Sequence, residues 1–241
     1  MFITSFTEYR YNNKRLTIVH YISIIHTMHM SFTVHTFNNE QKWIEAALAY
    51  IEAVPSDGTI GLAGGNTPKP VYKRMVQKEG QLFFVTDERY VSDEDDYNNA
   101  HLVHETMGYD INVLAPDTTL PLPECVQTYA QQLEKQFSTH SPDLFILGMG
   151  TDGHVASLFP PISKPAFGPS LAINTTTEHF AVHQRISVTL PLLLSAKKAV
   201  LLMRGKDKKQ AWDTIIASED FTMYPMLHIL EDVETEVLLL E

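Results

Sequence analysis

Leu144-Phe145-Ile146-Leu147-Gly148-Met149-Gly150-Thr151-Asp152-Gly153-His154 decides the fold. Four consecutive apolar residues with no polar break, stopped at once by glycine, read as a short strand buried on both faces. Strands buried in that way belong to parallel sheets, and the glycines let the backbone turn sharply at the carboxyl end. Outward from this point the same unit recurs. On the N-terminal side, residues 59–63 read as a buried strand broken by Gly64 and Gly65, with Thr67-Pro68 as N-cap and first-turn proline of the next helix. Residues 81–86 read as another strand, ending at Asp87-Glu88-Arg89, and helices are expected over about 99–107 and 124–137. Further back, Asn38 with Gln41 resembles a capping box for a helix on which Trp43, Ala46, Ala47, Tyr50, Ile51 and Val54 recur at helical spacing. On the C-terminal side, strands are expected at 186–190, 199–203 and 237–240, with a helix near 208–217.

Alternating strands and helices predict an α/β fold: a Rossmann-like, mostly parallel sheet flanked by helices on both faces, as one domain over residues 30–241. Neither a repeat nor a low-complexity linker divides the chain. Residues 1–29 differ from the rest. The run from Leu16 to Met30 mixes isoleucine, tyrosine and three histidines, too short and too polar to span a bilayer. The expectation is an extension outside the fold, or sequence upstream of a start at Met28 or Met30.

Of the 241 residues, 44% are apolar and 20% charged, the composition of a soluble globule. The formal net charge of -11 speaks against nucleic acid or an anionic membrane as partner, because the whole-molecule field repels polyanions. A small anion can still bind where a few Arg and Lys converge. Cys125 is the only cysteine, which excludes an internal disulfide and a cysteine-based zinc site and fits a reducing, cytoplasmic compartment.

Three polar segments follow strands directly: 64–68, 87–89 and 148–154. In an open parallel sheet all carboxyl ends lie on one edge, so the three should meet in one active site. The turn Gly64-Gly65-Asn66-Thr67-Pro68 would offer backbone N–H groups and a helix start to a phosphate. Arg89 and Arg185 at strand boundaries, and Lys208 just inside a helix, are candidates to clamp it. His154, two residues from Asp152 on a strand-to-helix turn, is the candidate general base. The pattern Gly148-x-Gly150-x-x-Gly153 matches a dinucleotide fingerprint, but Pro160 and Pro161 cut the following helix short and no acidic residue lies between His154 and Thr177 to hold a ribose. Ser157 lacks the G-x-S-x-G elbow of a serine hydrolase. His101, His104 and Glu105 suggest no third metal ligand, and the acidic run 93–96 lacks the glycine and late glutamate of a calcium loop.

Together these segments resemble the 6-phosphogluconolactonase family, which shares a superfamily with glucosamine-6-phosphate deaminase. The likeness runs from about Phe37 to Leu240 and is strongest from Leu147 to Pro160, supported by the Gly-Gly-x-Thr-Pro turn, Asp87-Glu88-Arg89 with Asn98, the run from Arg185 to Leu190, and Gly205 with Lys208. It implies hydrolysis of 6-phospho-D-glucono-1,5-lactone to 6-phospho-D-gluconate, the second step of the oxidative pentose phosphate pathway, by a monomer without metal or cofactor. It also implies His154 as the base that activates water, Asp152 orienting it or contacting the sugar, and Gly64, Gly65, Asn66, Thr67, Arg89, Arg185 and Lys208 binding phosphate or positioning the lactone. Asn66 stands where the family usually has serine, and residues 161–184 match weakly. The deaminase reading lacks support because Ser157-Leu158-Phe159-Pro160 and Arg89 stand where that family has its Phe-Asn-Glu-Pro continuation and a tyrosine. A catalytically silent sugar-phosphate sensor on the same fold is the other alternative, against which intact His154 and Asp152 argue.

Overall fold

The structure, a computed structural model, describes residues 6–11, 14–19 and 30–241. Strands β1 (Phe6–Tyr11) and β2 (Lys14–Val19) pair antiparallel with each other. The expectation of an extension over 1–29 falls on this stretch, of which 1–5, 12–13 and 20–29 lie outside the described residues.

From residue 30 the chain runs β3 (Phe32–Phe37), α1 (Glu40–Glu52), β4 (Thr59–Leu62), α2 (Lys69–Tyr72), β5 (Leu82–Val85), β6 (Asp87–Arg89), α3 (Asn99–Met107), β7 (Val113–Leu114) and α4 (Leu122–Gln136). It continues through β8 (Leu144–Leu147), β9 (Ala172–Thr176), β10 (Gln184–Val188), α5 (Leu190–Leu194), β11 (Ala199–Arg204), α6 (Lys206–Ser218), α7 (Pro225–Asp232) and β12 (Thr235–Leu240). Seven strands form the main sheet in the order β3-β12-β11-β8-β4-β5-β7, and every neighbouring pair is parallel. All four residues of β4 and of β8 are buried, which is why these central strands read as unbroken apolar runs. Helix α1 packs on the sheet through Trp43, whose indole N–H donates to Leu238 O at 2.9 Å.

The path of the chain creates the site. After β4 it steps outward through β5 to β7; it then returns to lay β8 on the other side of β4 and steps the opposite way through β11 to β12. Strands β4 and β8 are therefore neighbours whose onward connections diverge, and a crevice opens beyond their carboxyl ends.

Several local expectations shift. The cap of α1 is Asn39, not Asn38: its side chain accepts from Lys42 N at 3.0 Å, while Gln41 bonds forward to Glu45 at 2.7 Å instead of reaching back. Thr67 does not cap α2, since Pro68 occupies the cap position and its carbonyl accepts from Val71 and Tyr72. That helix is a single turn, so its dipole contributes little there. No helix follows Gly153; residues 149–158 form a tight loop held by bridges from Val155 to Met149 and Leu158. The strand expected at 186–190 lies at Gln184–Val188, outside the parallel sheet.

That strand belongs to a second, three-stranded antiparallel sheet, β6-β10-β9. The chain enters it directly from β5 through Thr86, so Asp87-Glu88-Arg89 is a strand rather than a loop. The register sets Ser187 opposite Asp87 and Arg185 opposite Arg89. Between them Glu88, fully buried, ties the small sheet to α3. Its carboxylate accepts from the backbone N–H groups of Asn99 (2.6 Å), Ala100 (2.8 Å) and Arg89 (2.8 Å), and Asn98 accepts from His101 N at 2.8 Å. The orphan amides of the first turn of α3 are thus satisfied by one buried acid and one cap.

Burial pushes the Glu88 carboxyl up to about 7, against these N–H donors and helped by the neighbouring Asp87 charge. Because the folded state holds this proton more tightly than the unfolded chain, the group's stabilising contribution is full below about 4.5 and is lost as pH rises through about 7. Wild-type stability should therefore fall across that window by up to about 3 kcal/mol relative to Glu88→Gln, which cannot titrate. Denaturant unfolding at a series of pH values measures the difference; parallel pH curves for the two proteins would contradict the assignment.

Candidate active site

The crevice at the switch between β4 and β8 is a cleft of about 330 Å³. Gly64, Gly65, Asn66 and Thr67 reach it from the end of β4, and Gly148, Gly150, Thr151 and His154 from the end of β8. Asp87, Arg89 and Arg185 enter from the second sheet, Lys208 from the first turn of α6. The three polar segments do meet. Of the expected site residues only Asp152 does not line this cleft; it faces a neighbouring depression with Tyr224 and Gln210 and contacts the cleft through His154.

Asp152 Oδ1 stands 2.6 Å from His154 Nδ1 and 3.3 Å from the His154 backbone N. Gly150 lies directly beneath this pair: a Cβ there would sit 2.1 Å from Asp152 Oδ1 and 2.2 Å from His154 Nδ1. Only a residue without a side chain leaves room for the contact. Burial alone would raise the Asp152 carboxyl, but hydrogen bonding and charge attraction from His154 outweigh it and hold it below the usual carboxylate range. An ionised carboxylate can only accept, so the imidazole proton sits on Nδ1 and Nε2 is the basic nitrogen. Among the described residues no side chain or backbone group hydrogen-bonds Nε2. The ring is half-buried between Phe159, 5.0 Å away by centroid, and Phe180, 5.3 Å away.

The loop carrying His154 is anchored from below. Ser157 Oγ donates to Asp87 Oδ2 at 2.7 Å, Ser157 N donates to Ser187 Oγ at 3.1 Å, and Thr175 Oγ1 donates to Ser157 O at 2.7 Å. Ser157 is buried and its Oγ bonds Asp87 rather than His154, so the described residues hold no serine–histidine pair. Gly64 permits a second close approach, because a Cβ there would overlap the side chain of Asn99, whose Nδ2 donates to Asp87 O at 2.7 Å. Gly65, at φ +82°, makes the turn away from β4.

Three cations converge on the cleft, and among the described residues none is paired with a carboxylate. Arg89 donates to Tyr97 O at 2.9 Å through Nη1, leaving a buried Nε without a partner among the described residues. Arg185 Nε donates to Val182 O at 2.9 Å. Burial, then the facing Arg89 charge, pushes the Arg185 guanidinium pKa down against the pull of Asp87 and Glu88. Burial lowers Lys208 likewise, against Asp152, and its ammonium donates to Met149 O. Like charges opposed across an antiparallel ladder destabilise each other, so this arrangement favours an anion between them. His101 and His104 lie on α3 away from this cleft, and among the described residues no three His, Cys, Asp or Glu side chains gather as a metal site.

Three contributors escaped the sequence reading. Asp87 and Ser157 stand inside the quoted motifs, yet that they bond to each other depends on two sheets meeting. Phe180 stands in the segment, 161–184, that matches the family only weakly.

Residues 35–238 match the family described as glucosamine-6-phosphate isomerases/6-phosphogluconolactonase. The "Probable 6-phosphogluconolactonase" of Dictyostelium discoideum is 38% identical over 199 residues, covering 74% of this chain and 82% of that protein. The 6-phosphogluconolactonase of Synechocystis is 33% identical over 221 residues, covering 81% and 90%. The crystal structure of 6-phosphogluconolactonase from Thermotoga maritima superposes with a TM-score of 0.74 at 25% identity, over 87% of this chain and 99% of that one. With its central switch point, its Asp-x-His loop and these relatives, the chain belongs to the glucosamine-6-phosphate isomerase/6-phosphogluconolactonase family.

Proposed function

We propose that this chain is a 6-phosphogluconolactonase, hydrolysing 6-phospho-D-glucono-1,5-lactone to 6-phospho-D-gluconate in the oxidative pentose phosphate pathway. One observation carries the reading: a carboxylate-oriented imidazole shares a single cleft with three cations that lack carboxylate partners. The named relatives support the same substrate. In this reading Arg89, Arg185, Lys208 and the turn at Gly64, Gly65, Asn66 and Thr67 bind the phosphate or position the lactone, with the anion between the two opposed arginines.

Water in the cleft loses a proton to His154 Nε2 as its oxygen bonds to C1, and the carbonyl electron pair moves onto the carbonyl oxygen. Backbone N–H groups or a cation of the cleft stabilise that charge. Collapse breaks the bond from C1 to the ring oxygen, which takes the proton back from the imidazolium. Asp152 stabilises the imidazolium and keeps Nε2 aimed at the water. No step calls for a metal or a nucleotide. The same reading takes the enzyme as a cytoplasmic monomer; the buried, unpaired Cys125 supports a reducing compartment. None of the described helices is long and apolar enough to cross a membrane, and the net charge of -11 favours a small anion over a polyanion.

Acid release from freshly generated lactone tests the activity directly, and an inactive wild-type protein would leave the sensor reading. His154→Ala should lower kcat by roughly 10²- to 10⁴-fold with the fold intact; near wild-type turnover would remove His154 from the mechanism. Arg185→Ala should raise KM by roughly 10- to 150-fold with kcat little changed, because the phosphate is contacted alike in ground and transition states. A lactone without the phosphate is the control. Equal damage to both substrates would move Arg185 to the reacting carbonyl or to the fold.

A further inference from the structure

Phe180 belongs to none of the strand ends that build the cleft. It sits at the tip of the hairpin between β9 and β10, a tip closed by bonds from Thr177 N to His183 O at 3.1 Å and from His179 N to Thr177 Oγ1 at 3.2 Å. The residue keeps 39% of its surface exposed, although most large apolar groups of the described residues are buried. Its ring nonetheless lines the cleft and touches both functional ends of it. Toward the base, it packs edge-to-face on His154, with centroids 5.3 Å apart and planes at 79°. Toward the anion side, the Arg185 guanidinium carbon lies 5.8 Å from its centroid, within cation–π range. The same tip supplies Val182 O, which accepts from Arg185 Nε at 2.9 Å. Phe159 completes the cage from the His154 loop, 6.0 Å from Phe180.

An exposed aromatic on a hairpin tip contributes little to core stability, so the reason for its position lies in what it contacts. We propose that Phe180 is a positioning and specificity residue: its one ring holds the His154 imidazole and the Arg185 guanidinium at a fixed separation, which selects lactones whose phosphate and reacting carbonyl stand at opposite ends of a hexose. The two groups have no bond to each other: the buried contacts of Ser157 with Asp87 and Ser187 relate the segments that carry them, and the ring is the contact shared by the two side chains themselves. The ring also keeps water off the guanidinium, which strengthens its pairing with a phosphate.

This inference rests on the lactonase reading, so one arm of its test needs no turnover. Calorimetric titration with inorganic phosphate should show Phe180→Ala binding roughly 2- to 5-fold more weakly than wild type, the range of an exposed cation–π contact. The effect should vanish when Arg185→Ala is already present. In steady-state kinetics Phe180→Ala should raise KM by a similar factor and lower kcat by roughly 2- to 10-fold, the range of an aromatic pair, with the kcat loss absent in a His154→Ala background. Phe180→Tyr should recover most of both, whereas Phe180→Leu, similar in bulk but not aromatic, should behave like alanine. A role in folding alone would lower Tm in all variants and leave phosphate affinity and the KM-against-kcat pattern unmoved. Unchanged phosphate affinity in Phe180→Ala, a loss confined to one of KM and kcat, or full recovery by leucine would each overturn the proposal. If wild-type protein fails to hydrolyse the lactone, the functional reading falls, and the phosphate arm still decides whether Phe180 holds Arg185.

Discussion

The bond from Ser157 Oγ to Asp87 Oδ2, 2.7 Å long and out of reach of solvent, joins the two halves of the site. Asp87 opens the small antiparallel sheet and Ser157 ends the loop that springs from the centre of the parallel one. A carboxylate buried at 6% exposure is costly unless hydrogen-bonded, and the hydroxyl that satisfies it fixes where the His154 loop can lie. Ser187 repeats the restraint from the facing strand, accepting from Ser157 N. His154 and the arginines therefore hold their relation through buried polar contacts between the sheets, while each sheet is stabilised by its own ladder and core.

What could be read from the residues alone follows from how local the cause is. Strand β8 and helix α3 fall at their expected residues, because an apolar run bounded by glycine and a helix capped by asparagine are settled within a few positions. The convergence of the three polar segments was also legible, since parallel strands place all their carboxyl ends on one edge. The separate sheet was not. Gln184–Val188 has the same alternating, β-branched composition in either sheet, and only the antiparallel register with Asp87–Arg89 and Ala172–Thr176 distinguishes them. The glycine-rich run after β8 reads as a strand-to-helix turn; the bridges from Val155 to Met149 and Leu158 close it as a loop instead. Phe180 carried no signal, since a phenylalanine in an irregular segment has no periodicity to place it.

At two points the loops of the site approach other groups as closely as backbone can. Beneath the Asp152–His154 pair and beneath Asn99 the backbone approaches so closely that a methyl group has no space, so Gly150 and Gly64 are required by contact rather than by torsion. Such packing leaves the imidazole few alternative orientations, the preorganisation that its proposed role as a general base requires. Gly65 serves differently, through its positive φ.

The register that sets Arg185 opposite Arg89 places two like charges against each other in the folded chain, an unfavourable electrostatic contact that an anion between them would relieve. Any phosphate ester that settles between them removes that repulsion and binds only the folded form, so ligand concentration and conformational stability become linked quantities. Such an enzyme would be most exposed to unfolding and proteolysis when its metabolite pool is depleted, with a protection that grows as the logarithm of ligand concentration above Kd. Its cellular lifetime, like its rate, then depends on the supply of sugar phosphate.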